Sequence, residues 1–271
     1  MLAAIKHHLS VAGCFARLAV QRQIEYPLFL VSWLLMVPAQ NLVGIWLLKV
    51  IVNQFQPLNG WGYPELAFLY GLGLLSHGLQ VIFFIQTWHM DWMIIRGGFD
   101  RMLLRPMGVF SQFIMQNVNF IGFFDFIPGV IIFAAGCRLV GFDWTLMNAV
   151  KVLLVVIGGT LIRASIYSIM GTFAFWTKRS GSLVGMGVSL FERTTQWPLS
   201  LYPQLVQTAF TFLIPVGFIS FYPAMDFLGK DNSFTLPGGL AIWTPAVGLL
   251  MFVLSRLMFG FGLRKYESSG S

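Results

Sequence analysis

The chain has 271 residues, 57% of them hydrophobic and only 10% charged, with a mean hydropathy of +0.76. A soluble domain carries about a quarter charged residues, so too few remain here to cover a water-facing surface. The net charge of +7 does not indicate nucleic acid, because Lys and Arg gather at the ends of apolar stretches rather than on one face, a pattern that reports membrane topology.

In the first 22 residues Leu2, Ile5, Leu9, Ala12, Ala16 and Ala19 recur at helical spacing, with Lys6, Ser10, Arg17 and Gln21 opposite. The pattern predicts an amphipathic helix lying in the membrane interface; the alternative is a short soluble helix. Val11-Ala12-Gly13-Cys14 imitates a lipoprotein cleavage box. The apolar run before it is shorter than the about 7–15 residues of a signal-peptide core, so lipidation is not expected. Cys14 and Cys137 lack metal-type spacing and read as small apolar fillers.

Six apolar segments follow, at 27–50, 64–84, 117–137, 152–176, 204–224 and 241–263. Each approaches the roughly 20 residues that span about 30 Å of hydrocarbon. With both termini cytoplasmic, 11 Lys and Arg fall inside and 4 outside, the bias that sets orientation. The expected architecture is all-α and polytopic: an interfacial helix at 1–22, one six-span domain at 23–266 and a short cytoplasmic tail at 267–271.

Between the second and third spans, Trp88, Trp92, Ile95, Phe99 and Met102 form a helical stripe. Gly97-Gly98 interrupts it, each Gly costing about 1 kcal/mol relative to Ala in a helix, and Pro106 turns Arg105 away from helix. Two short helices with a Gly-Gly bend are expected at 87–106. They read either as an element that docks into a soluble partner or as an ordinary interfacial loop. The chain has no G-x-x-x-x-G-K-[ST] run, so any ATP that drives it is bound by another chain. No Ser/His/Asp set, carboxylate pair or metal-ligand spacing points to catalysis, a metal or a cofactor in this chain.

Asp125 in the third span and Arg163 in the fourth fall at similar depth. Intramembrane charges are functional candidates, and these two are expected to pair, either as a structural tie or as the polar lining of a transport route. Arg256 is placed to snorkel. His77, among Gly71, Gly73, Ser76 and Gly78, reads as a packing hydrogen bond in preference to a ligand. Pro38, Pro128, Pro215 and Pro245 are expected to kink their helices. Pro215 and Pro223 predict a broken fifth span whose last part turns back from the outer surface. Pro215, Phe218, Tyr222 and Pro223 would then form an outer gate, or else a static kink. Segment 181–203, polar at Glu192–Gln196, is expected to lie flat on the cytoplasmic face ahead of the fifth span.

The run Ile95-Arg96-Gly97-Gly98-Phe99-Asp100-Arg101-Met102-Leu103-Leu104-Arg105-Pro106 resembles the signature of an ABC-2-type permease family: a basic residue, Gly, Phe-Asp, two Leu and Arg-Pro. Tyr202-Pro203, the apolar run at 212–224 and Leu228-Gly229 resemble the family pattern near its fifth span, and the likeness covers nearly the whole chain. It implies an ABC-2, type V exporter-like fold with a cytoplasmic coupling helix, in a multi-pass protein of the bacterial cytoplasmic membrane. The implied activity is ATP-driven export of an amphiphilic or drug-like substrate. The implied partners are a second homologous six-span permease (or a second copy of this chain), two copies of a cytoplasmic ABC ATPase holding ATP and Mg, and membrane lipids, without nucleic acid. Arg96, Gly97, Gly98, Phe99, Asp100, Arg101, Leu104, Arg105 and Pro106 would receive the ATPase stroke. The competing expectation is a secondary transporter or channel driven by an ion gradient. Such proteins often carry several intramembrane carboxylates, whereas only Asp125 lies near mid-depth here.

Overall fold

A computed structural model describes residues 27–55, 58–115, 118–230 and 239–267; the helix expected at 1–22 lies outside them. In a chain this apolar the backbone must satisfy its own hydrogen bonds, and helices do so locally. In order the helices are α1 (Pro27–Phe55), α2 (Tyr63–Phe84), α3 (Met90–Ile95), α4 (Asp100–Leu103), α5 (Val109–Met115), α6 (Phe123–Val140), α7 (Leu146–Thr172), α8 (Ala174–Thr177), α9 (Gly181–Gln196), α10 (Gln204–Thr208), α11 (Phe221–Phe227) and α12 (Leu240–Leu263). Among the described residues, five stretches are long and apolar enough to cross a membrane, built on α1, α2, α6, α7 and α12.

Glycine sets the closest contacts. On α2 Gly71 and Gly78, and on the facing arm Gly122, Gly129 and Gly136, recur every seven residues. A methyl at Gly71 would sit 2.5 Å from the Phe133 backbone, one at Gly78 2.7 Å from that of Phe126, and one at Gly136 2.6 Å from that of Phe68. These pairings run in opposite senses, so α2 and α6 are antiparallel with backbones almost touching. Small residues permit this approach where lipid offers no hydrophobic drive for helices to associate. A second seam joins α7 and α12: Gly158 lies under Thr244–Pro245, and Gly262 lies against Thr172. Those pairings advance in the same sense, so α7 and α12 are parallel.

Two parallel helices in sequence need a return between them, and α9 supplies it. Its first residue, Gly181, donates its N–H to Asp91 Oδ2 at 2.9 Å, beside the 87–106 loop. Farther along, Gly187 lies against Met170 and Tyr167, and Thr195 lies on Gly73. Just beyond the helix, the Ser200 carbonyl accepts from Asn59 Nδ2 at 3.2 Å, on the loop joining α1 to α2. Segment 181–203 therefore runs from one end of the bundle to the other and does not lie flat on one face. The apolar stretch 204–224 is not one helix. It divides into α10, a π turn (Ala209–Leu213), a 3-10 turn (Val216–Phe218) and the start of α11. Ile214 (φ −127°, ψ 89°) is extended at the break, as the residue before a proline tends to be.

The expected broken helix is thus present, but the proline rule applies unevenly. Pro38, Pro128 and Pro245 each lie inside a continuous helix, whereas Pro223 occupies the first turn of α11, where a missing N–H costs nothing. Charge divides the two ends. Arg96, Arg101, Arg105, Lys178, Arg179, Arg264 and Lys265 lie at the end holding the 87–106 loop, hereafter the basic end; Lys49, Arg138, Lys151 and Lys230 lie at the far end. Arg193, placed by sequence in a cytoplasmic loop, is on α9.

Candidate functional site

Polar residues converge between α1, α2 and α6. Few α1 residues are buried, and one of them is Asn41, 5% exposed. Its Oδ1 accepts from the Tyr70 hydroxyl at 3.1 Å, and its Nδ2 donates to Asp125 Oδ1 at 3.4 Å. His77 Nε2 lies 3.8 Å from Asp125 Oδ2, and its ring stacks on Trp88 at 6.2 Å. The sequence missed Asn41 and Tyr70; an amide within an otherwise apolar first span was the available signal.

The expected Asp125–Arg163 pair does not form: among the described residues no carboxylate approaches the Arg163 guanidinium within 4.0 Å. Equal depth does not fix the direction in which a side chain leaves its helix. Asp125 turns to Asn41, and Arg163 turns to α9, where its guanidinium lies 4.8 Å from the centre of the Phe191 ring.

Both charges nevertheless line one cavity of about 520 Å³, walled by α1, α2, α6, α7 and α9. Toward the basic end its wall is Phe29, Trp33, Trp88 and His89; deeper it holds Asn41, Tyr70, His77, Tyr167, Glu192 and Gln196. A mostly apolar chamber with a few convergent polar groups is the usual form of a small-molecule site. Among the described residues no group of three His, Cys, Asp or Glu is placed to hold a metal.

The far end of the bundle is plugged. Pro215, Phe218, Tyr222 and Pro223, expected at an outer gate, are all buried. Phe218 and Tyr222 pack with ring centres 5.1 Å apart, and the Tyr222 hydroxyl hydrogen-bonds Thr211 across the break. The Phe218 carbonyl accepts from Thr244 Oγ1 at 3.1 Å, which fixes the plug to α12. Plug and cavity meet at Gly73: a methyl there would lie 3.0 Å from Thr195, a cavity residue, and 3.7 Å from Ser220 Oγ of the plug.

At the basic end the Gly-Gly bend has a specific form. Gly97 has φ +64°, its N–H donates to the Ile94 carbonyl at 3.2 Å, and the Gly98 N–H donates to that of Met93 at 2.8 Å. This paired closure needs a left-handed residue, which Gly supplies without strain. The turn breaks the predicted stripe: Trp92 and Ile95 are half exposed, whereas Phe99 (0%) and Met102 are buried. Phe99 packs on Phe113, Phe175, Phe259 and Tyr266 at 5.4–5.8 Å between ring centres. Phe99 therefore faces inward, and Asp100 accepts from the Tyr266 hydroxyl at 2.9 Å. Burial first, and then the Asp100 carboxylate, push that hydroxyl up to about 12. Arg96 stacks over Trp92 at 4.3 Å and is exposed, as are Arg101, Leu104, Arg105 and Pro106. Gly97 and Gly98 are half-buried between the two sets.

Helices threaded by glycine seams, a charged central cavity and a rigid basic loop define a multi-pass membrane transport component. The profile of ABC-2 family transporter proteins matches residues 35–270, and the chain belongs to that family. Permeases of the family normally partner with an ABC ATPase. No curated protein and no solved structure matches the chain.

Proposed function

We propose that the chain is the permease subunit of an ATP-driven exporter and that the cavity is its substrate chamber. One observation carries this reading: a chamber lined by the charged side chains of Asp125, Arg163 and Glu192 ends against a buried far-end plug and reaches toward the basic end. By the positive-inside bias the basic end is cytoplasmic, so the chamber faces the cytoplasm of a bacterial cell with the outer side shut. In this reading α9 is the remaining crossing, which brings the total to six and leaves both termini inside. The exposed set Arg96, Arg101, Leu104, Arg105 and Pro106 is the face that receives the ATPase. Two copies of that ATPase, with ATP and Mg, and a second six-span permease, homologous or identical, complete the machine. An amphiphilic or drug-like solute enters from the inner leaflet, and the ATPase stroke displaces the plug.

The test is export from vesicles by the full complex carrying Gly73→Cys and Ser220→Cys. Oxidation of the pair is expected to halt ATP-dependent export, and reductant to restore it. Undiminished export by the crosslinked complex would mean that the plug is static. ATPase activity in the lone chain would sink the reading of a permease driven by a separate ATPase, and transport that follows a proton gradient without ATP would favour the gradient-driven alternative.

A further inference from the structure

Arg163 is 3% exposed, yet its Nε has no hydrogen-bond acceptor. The Tyr167 hydroxyl, one helical turn along α7, lies beside the Arg163 guanidinium and makes no hydrogen bond of full geometry. Residues four apart share a helix face, and both side chains line the cavity. Buried charges are ordinarily paired, because the lost hydration must be replaced. The guanidinium carbon lies 4.8 Å from the centre of the Phe191 ring, and Nε makes no hydrogen bond, so that donor is left for a planar or tetrahedral anion. Asp125, by contrast, already receives Asn41 Nδ2 and faces His77.

We propose that the cavity binds an amphiphile with an anionic head group, a phosphate or carboxylate, held by Arg163 and Tyr167. The apolar chain of that ligand lies along Phe29, Trp33 and Trp88. Next to Arg163 a cationic amphiphile is repelled, and of the two carboxylates in the lining Asp125 is already engaged within the protein, which leaves Glu192 as the group that would compete for it. This inference rests on the cavity being the substrate chamber.

Binding tests it without ATP or a partner. The full-length chain, held in a neutral maltoside detergent, is titrated with dodecyl phosphate, dodecyltrimethylammonium and inorganic phosphate, and occupancy is read by native mass spectrometry. Dodecyl phosphate is expected to saturate at one per chain and to bind roughly tenfold or more tighter than the ammonium probe, the scale of a charge-assisted hydrogen bond. Arg163→Gln should weaken it by about 10-fold to 100-fold on the same scale. Asp125→Asn, which removes a nearby like charge, should tighten it. That variant and the head-group comparison still decide the matter if Arg163→Gln does not fold. Equal binding of the ammonium probe, equal binding of inorganic phosphate, or undiminished binding by Arg163→Gln overturns the proposal. Binding as expected, with no export of dodecyl phosphate by the complete transporter, would leave the site standing and sink the exporter reading.

Discussion

Replacing Gly136 with Leu is expected to abolish accumulation of folded protein in the membrane, and Gly136→Ala to lower its stability severely. The methyl of Ala would lie 2.6 Å from Phe68 N and 2.7 Å from its Cα. Those atoms belong to a helix backbone and cannot rotate aside as a side chain does, so α2 and α6 must separate. Overpacking costs about 1–3 kcal/mol where side chains can adjust, and a backbone neighbour places this site at or above the top of that range. The series grades itself. Gly71 and Gly78 are equally tight, Gly129 meets its nearest atom at 3.0 Å, and Gly185 and Gly260 have nothing within 4 Å. At the last two, Ala is expected to be neutral or to stabilise by up to about 1 kcal/mol, the helix-propensity difference. Detergent-resistant fluorescence of a tagged chain and melting temperature in a neutral detergent measure both ends. Equal tolerance at Gly136 and Gly185 would contradict the seam.

The same seam shows what the sequence could and could not disclose. Length and apolarity place the long helices, because a membrane leaves the backbone few alternatives. They do not show which faces meet, although the seven-residue recurrence of Gly122, Gly129 and Gly136 was visible. The expected span at 204–224 is not one helix, and under the proposed arrangement α9 makes that crossing, for a physical reason. Glu192, Thr195 and Gln196 depress the hydropathy of α9 because they face the cavity and not lipid. The run at 204–224 reads as a span because its latter half is buried in protein as the plug. Composition reports burial: at 204–224 protein stands where lipid was assumed, and along α9 a cavity stands where the aqueous interface was assumed. The Gly-Gly bend was legible because a left-handed turn has a residue requirement. The side to which Phe99 then points was not, because the turn rotates everything after it.

Phe99→Ala is expected to uncouple the transporter: hydrolysis by the bound ATPase persists while export falls at least tenfold. Phe99 is the shared centre of an aromatic box whose other members come from separate elements: Phe113 from α5, Phe175 from α8, Phe259 from α12, and Tyr266 beyond it. Removing a buried Phe costs about 3–5 kcal/mol. Here the loss falls on the joint between the loop and the ends of the spans, leaving the glycine seams intact. The exposed residues on either side, Arg96 and Leu104, would still meet the ATPase, so hydrolysis survives. A push on α4 would no longer be carried to α8 and α12 by close-packed rings. Phe99→Leu, which keeps most of the volume, should retain most of the export. Tyr266→Phe isolates the hydroxyl contact with Asp100 and should act more mildly. With that hydroxyl raised to about 12, its contribution is full below the ordinary tyrosine value near 10 and is lost as pH rises through 12. The contact therefore does not titrate in the physiological range, and the Tyr266→Phe defect should be the same at pH 6 and pH 8. Vesicles assayed in parallel for phosphate release and export separate the two effects. Equal loss of both activities in Phe99→Ala would mean that the box holds the docking face itself and does not transmit from it.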